Sequence, residues 1–208
     1  METSMFVKIC GLREPVTLTV AIDAGADAVG FVFAPGSPRT IEPAVVRQLV
    51  QEVPESVQTV GVFRKQPIDE VLRMASEAGV DTVQLHGGEP LADFERVRAA
   101  GFGTIRALSI HEYLQEVERD PVGIRAHRLL IDAPMPGAGE VFDTTQLQAH
   151  PPQGGWLLAG GLNPGNVTAL IRAARPGGVD VSSGVEMLRG QKDAALIREF
   201  VAAARTAI

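Results

Sequence analysis

Three stretches of this chain carry nearly the same words in the same order. They are Ala24-Gly25-Ala26-Asp27-Ala28-Val29, Ala78-Gly79-Val80-Asp81-Thr82-Val83 and Pro176-Gly177-Gly178-Val179-Asp180-Val181. Each reads as a helix end, a glycine turn and a strand. Glycine after a helix supplies the left-handed cap. A short, nearly continuous apolar run after it is the mark of a strand buried on both faces. Repetition of that unit restricts the chain to helices that return to a parallel sheet.

The alternation runs from end to end. Apolar, β-branched runs predict strands at 5–10, 27–33, 57–62, 81–85, 103–108, 127–132, 156–160 and 178–181. Helical patterns lie between them at 15–25, 42–52, 67–78, 89–100, 111–118, 144–148 and 163–174, with a last one at 193–206. Helix starts carry Pro or acidic residues, as at Glu14-Pro15, Glu42-Pro43, Pro67-Ile68-Asp69 and Glu89-Pro90. Eight such units in 208 residues predict a closed (β/α)8 TIM barrel at the small end of its range. An open doubly wound sheet is the alternative, but no Gly-x-Gly-x-x-Gly follows the first strand. No linker or low-complexity stretch divides the chain, so 1–208 reads as one catalytic domain. The Pro- and Gly-rich stretch 133–155 reads as a long loop within it.

A mean hydropathy of +0.11 suits strands buried on both faces. The net charge is −6, with no cluster of Lys and Arg, which argues against a nucleic-acid partner. An anionic ligand would have to be held by local groups against the overall field. No apolar run is long enough for a membrane span. Met1-Glu2-Thr3-Ser4 does not open a signal peptide, and a single cysteine fits the cytoplasm.

In such a barrel the chemistry sits at the carboxyl ends of the strands. Strand 1 ends there in Lys8-Ile9-Cys10-Gly11. A lone cysteine forms no internal disulfide and no multi-thiol metal site, which leaves packing or chemistry. Its position favours chemistry. Strand 7 runs into Gly160-Gly161-Leu162-Asn163-Pro164, where Asn163 reads as a helix cap and Pro164 as the first helical residue. Strand 8 runs through Asp180 into Ser182-Ser183-Gly184, which reads as the start of a short helical segment through Glu186. Two ordinary glycine turns would look alike, but this fold binds phosphate at these two loops.

Asp132 ends strand 6, across the barrel mouth from Cys10. A thiol and a carboxyl so placed can serve as base and acid, if the thiolate is stabilised and the acid stays protonated. Lys8 points the same way as Cys10, two residues back. A strand-end Asp could equally cap a turn. Arg39 stands in Pro35-Gly36-Ser37-Pro38-Arg39, a stiff loop that would hold a guanidinium ready for a carboxylate. His86 could contact a ligand or close the strand 4 loop. His111, His127 and His150 show no ligand spacing, and no cluster resembles a metal site.

These segments together resemble the phosphoribosylanthranilate isomerase family of tryptophan biosynthesis. The matches are Lys8-Ile9-Cys10-Gly11, Gly30-Phe31-Val32-Phe33 through Ser37-Pro38-Arg39, Val60-Gly61-Val62-Phe63 and Val83-Gln84-Leu85-His86-Gly87. They continue with Leu158-Ala159-Gly160-Gly161-Leu162-Asn163-Pro164 and Val179-Asp180-Val181-Ser182-Ser183-Gly184-Val185-Glu186. The resemblance implies an Amadori rearrangement of a phosphorylated small molecule by a monomer or homodimer. Asp132 would be the general acid on the ribose ring oxygen and Cys10 the general base at C2. Arg39 would bind the anthranilate carboxylate. His86, Gly160, Gly161, Asp180, Ser182, Ser183 and Gly184 would complete the substrate site. No cofactor or metal would be needed, because the iminium nitrogen is the electron sink.

The stretch Pro136-Gly137-Ala138-Gly139-Glu140-Val141-Phe142-Asp143-Thr144 departs from the family, which shows a Gly-Gly-Thr-Gly-like run and then Phe-Asp-Trp. The missing tryptophan predicts altered loop packing with activity kept, and leaves the role of Asp143 open. Two rivals stand beside this reading. One is a histidine-pathway ketol-isomerase, which resembles a duplicated half-barrel with an aspartate ending strand 1. The other is a non-catalytic sugar-phosphate-binding barrel.

Overall fold

The structure, a computed structural model, describes residues 5–120, 123–132, 147 and 149–207. Eight parallel strands close into a barrel in sequence order. They are β1 (Phe6–Cys10), β2 (Ala28–Val32), β3 (Gln58–Phe63), β4 (Thr82–Leu85), β5 (Gly103–Ser109), β6 (Arg128–Asp132), β7 (Leu157–Ala159) and β8 (Gly178–Val181). β1 pairs with both β2 and β8, which closes the ring. All eight predicted strands stand within two residues of the expected bounds.

Seven α-helices among the described residues pack outside the ring. They are α1 (Pro15–Asp23), α2 (Pro43–Val50), α3 (Ile68–Ala78), α4 (Leu91–Ala99), α5 (Ile110–Arg119), α6 (Val167–Ala174) and α7 (Ala194–Arg205). The helix expected at 144–148 and the role of Asp143 lie outside the described residues, Leu147 apart. Pro15 and Pro43 occupy first turns, where a missing N–H costs nothing. Ser109 and Glu112 form a reciprocal capping box that opens α5. Gly79 ends α3 in the left-handed region, at φ 73°. No described helix is long and apolar enough to cross a membrane.

The core has two parts. One lies between strands and helices; the other fills the barrel with Ala28, Val60, Ile105, Leu130, Leu157 and their neighbours. The amino-terminal mouth is plugged. Arg128 stacks over Phe6 at 3.9 Å, and Gln58 donates to Thr82 at 2.7 Å. The carboxyl-terminal mouth stays open, so the cavity forms there.

Two local expectations are corrected. The helix after β7 begins at Val167 and not at Asn163. Asn163 accepts from the Gly165 N–H at 2.9 Å, and Asn166 accepts from the Asn163 N–H at 2.8 Å. These two side chains build a turn where a cap was expected. The segment after β8 is a single 3-10 turn, Ser183–Val185. Glu186 then opens an antiparallel hairpin, β9 (Glu186–Leu188) and β10 (Gln191–Lys192).

Candidate active site

The open mouth holds a cavity of 560 Å³. Cys10, Arg39, His86, Asp132, Gly160, Gly161, Asp180, Ser182 and Ser183 all line it. Of the expected residues only Gly184 stands back from the wall. It packs so tightly that a Cβ there would lie 1.7 Å from the Leu162 carbonyl oxygen. The β7 and β8 loops meet at that contact.

Cys10 is buried at the end of β1. Gly30 makes room for it: a Cβ there would come within 3.0 Å of the Cys10 sulfur and 3.3 Å of Lys8 Cε. Burial pushes the thiol above its ordinary value, while Lys8 and Lys192 pull it down. Lys8 is fully buried and donates to Asp180 Oδ1 at 2.7 Å. Burial disfavours its ammonium, but Asp180 and Cys10 outweigh that and leave it above the ordinary value. Asp180 borders the cavity as expected. Its Oδ1 is committed to Lys8, so it anchors the cation beside the thiol.

Asp132 ends β6 with its side chain 40% exposed to the cavity, and His86 Nε2 lies 3.4 Å from its Oδ2. His86 therefore meets the acid candidate directly. Gly160 and Gly161 adopt φ of 89° and 63°, which a side chain would resist. The N–H groups of Gly160, Gly161, Ser183 and Gly184 donate to no protein acceptor among the described residues. These N–H groups come from loop backbone rather than from two helix N-termini, and a concavity of this kind can receive an anion.

Arg39 is held tightly. Its Nε donates to Glu186 Oε1 at 2.6 Å and its Nη2 to Oε2 at 2.9 Å. Lys192 Nζ donates to the same carboxylate at 2.9 Å and to the Ser182 carbonyl at 2.8 Å. Arg39 still lines the cavity.

Glu186, Lys192 and Gln84 belong to the site and were not singled out from the residues. Gln84 lines the floor, and its Oε1 has no hydrogen-bond partner among the described residues. Its signal was the inward alternation of β4, where Thr82 and Gln84 share a face. Glu186 and Lys192 gave no local signal, because a fold-back of the chain brings them in. No group of three or more His, Cys, Asp or Glu among the described residues is placed to hold a metal.

A thiol beside a buried cation, a carboxyl opposite, a backbone cradle for an anion and a fixed guanidinium share one barrel mouth. That set defines a (β/α)8-barrel enzyme that moves protons on a small anionic substrate. A family model described as N-(5'phosphoribosyl)anthranilate (PRA) isomerase matches residues 7–203, and the chain belongs to that family. It is similar to the N-(5'-phosphoribosyl)anthranilate isomerase of Desulforudis audaxviator, with 43% identity covering 97% of this chain and 98% of the relative. The crystal structure of TrpF from Jonesia denitrificans aligns with a TM-score of 0.86 at 40% identity, covering 98% of each chain. A phosphoribosyl anthranilate isomerase solved with reduced 1-(o-carboxyphenylamino)-1-deoxyribulose 5-phosphate aligns with a TM-score of 0.86 at 35% identity. That alignment covers 97% of this chain and 99% of the other.

Proposed function

We propose that this chain, as a single cytoplasmic catalytic domain, converts N-(5-phosphoribosyl)anthranilate to 1-(2-carboxyphenylamino)-1-deoxyribulose 5-phosphate. The observation that carries the reading is the meeting of Cys10, Asp132, the Gly160–Gly161 turn and Arg39 at one cavity, in a chain of this family. The phosphate would sit on the free N–H groups of the β7 and β8 loops. The anthranilate carboxylate would face Arg39, which places the ribose between Cys10 and Asp132.

Asp132 gives a proton to the ring oxygen, and the C1–O bond breaks as the nitrogen lone pair forms the iminium. His86 holds the carboxyl in position. Cys10, as thiolate, takes the proton from C2; the C–H electrons form the enolamine and neutralise the iminium. A proton is returned to C1 as the C2 hydroxyl gives up its own, whose O–H electrons form the C=O bond of the ketone. Lys8 and Lys192 stabilise the thiolate, so the base can work inside a buried site.

The test is turnover of freshly prepared phosphoribosylanthranilate, followed by its fluorescence. Wild-type protein should consume it faster than spontaneous hydrolysis. Cys10→Ala and Asp132→Asn should each cost roughly 10²–10⁴-fold in kcat. A folded wild-type sample without turnover would overturn the assignment.

A further inference from the structure

We propose that Glu186 is a positioning residue for substrate recognition: it aims Arg39 at the substrate's aromatic carboxylate and so sets the preference for a carboxylated substrate. The inference rests on the proposed function and extends it to a residue that does not itself touch substrate.

The geometry is specific. Glu186 takes Arg39 side-on, through Nε at 2.6 Å and Nη2 at 2.9 Å. A guanidinium has five N–H donors. Two are used here, and three remain on the Nη1–Nη2 end for a second carboxylate. The stem is fixed as well. A Cβ on Gly11 would stand 2.7 Å from Arg39 Cδ, so the arginine lies across the backbone next to Cys10. Arg39 and Cys10 line the same cavity, so the unpaired end of the fork is the part of the side chain left for a ligand there.

The hairpin β9–β10 holds Glu186 in place. Gly190, at its turn, donates to Glu186 Oε2 at 3.0 Å. A Cβ on Gly190 would lie 2.8 Å from the Pro38 carbonyl, so the turn rests on the Arg39 loop. Lys192 gives the carboxylate a second cation at 2.9 Å. With Arg39 and Lys192 against one carboxylate the cluster keeps a charge of +1. That excess draws a substrate carboxylate to a protein whose net charge is −6. An exposed arginine would instead sample many rotamers and lose that entropy on binding.

The test compares two substrates, phosphoribosylanthranilate and the phosphoribosylamine of aniline, which lacks only the carboxylate. Wild-type protein should prefer the carboxylated one in kcat/KM. Glu186→Gln should lose roughly tenfold on the carboxylated substrate, mostly in KM, as a charge-assisted pairing is loosened. It should change the aniline substrate by less than about threefold. Glu186→Asp keeps the charge but cannot span both guanidinium nitrogens, and should show the same selective loss if Glu186→Gln does not fold. Equal loss on both substrates, or no loss on either, would overturn the inference and leave Glu186 a hairpin fastener. A wild-type enzyme indifferent to the carboxylate would overturn it too, with the functional assignment intact. No wild-type turnover of either substrate would instead strike the assignment itself.

Discussion

Lys8→Met isolates the most heavily buried charge among the described residues. The ammonium is fully buried and meets Asp180 at 2.7 Å, with Asp180 itself only 10% exposed at the side chain. Methionine is of similar volume, so the change opens little cavity. It leaves the Asp180 carboxylate without its cation, and breaking a buried pair from one side costs about 3–5 kcal/mol. In a chain of this size each kcal/mol moves the melting temperature by roughly 2–4 °C, which places the loss at about 6–20 °C. Urea unfolding at neutral pH measures it directly.

The double variant Lys8→Met/Asp180→Asn separates charge from packing. It exchanges the stranded charge for an amide that lacks a partner, a penalty of about 1–3 kcal/mol. It should therefore be more stable than Lys8→Met alone, despite carrying two changes. A cost below about 1 kcal/mol for Lys8→Met would refute the reasoning. So would a double variant at or below the stability of the single one.

Three further outcomes follow from the site. Burial holds the Cys10 thiol above its ordinary value, and a general base must be ionised, so kcat/KM should keep climbing with pH into the alkaline range; removing an opposing cation by Lys192→Met should move that limb further alkaline, and a flat profile would contradict the base role. Gly184→Ala forces a Cβ to 1.7 Å from the Leu162 carbonyl, so it should lower the melting temperature and weaken inhibition by inorganic phosphate roughly tenfold or more. Arg39, Gly190 and Lys192 hold the Glu186 carboxyl down at about 2, against burial that opposes them. A depressed carboxyl stabilises the fold above its unfolded value and loses that contribution as pH falls toward 2. Acid unfolding of Glu186→Gln should therefore be shallower than wild type over that range, by about 1–2 kcal/mol.

The ring was legible because its signals are local. Each strand is a short run buried on both faces, and Gly25, Gly79 and Gly101 mark helix ends by left-handed turns at φ of 90°, 73° and 93°. Cys10, Asp132, Arg39, Gly160 and Gly161 were legible because strand ends in this fold, and the loops that follow them, face one cavity. The hairpin was not. Its strands have three and two residues, and Met187 and Leu188 are both 64% exposed, so no alternation marks them. It forms against the Pro38 carbonyl and the Arg39 side chain, about 150 residues earlier in the chain, and no window of sequence contains both partners. The start of α6 departs from the local pattern for the opposite reason. Asn163-Pro164 is a strong local cap, and Asn166 overrides it by accepting the Asn163 N–H and donating to the Gly161 carbonyl at 2.9 Å.

The three aspartates of the repeated motif show where local reading stops. Asp27 and Asp81 each stand one residue before a strand. Their carboxylates accept the N–H groups of Val7 at 2.7 Å and Thr59 at 2.9 Å, on the neighbouring strand, and fasten the closed end of the barrel. Asp180 looks equivalent in the text, but β8 already begins at Gly178, so Asp180 is its third residue. Moving along a strand by an odd number of residues turns a side chain to the other face. Asp180 therefore points into the barrel, where register sets it opposite Lys8. In β2, by contrast, the inward place nearest Cys10 is held by Gly30, whose missing side chain leaves the room that Lys8 and Cys10 occupy. Strand register thus decides whether such a carboxylate closes the ring or holds the charge beside the base.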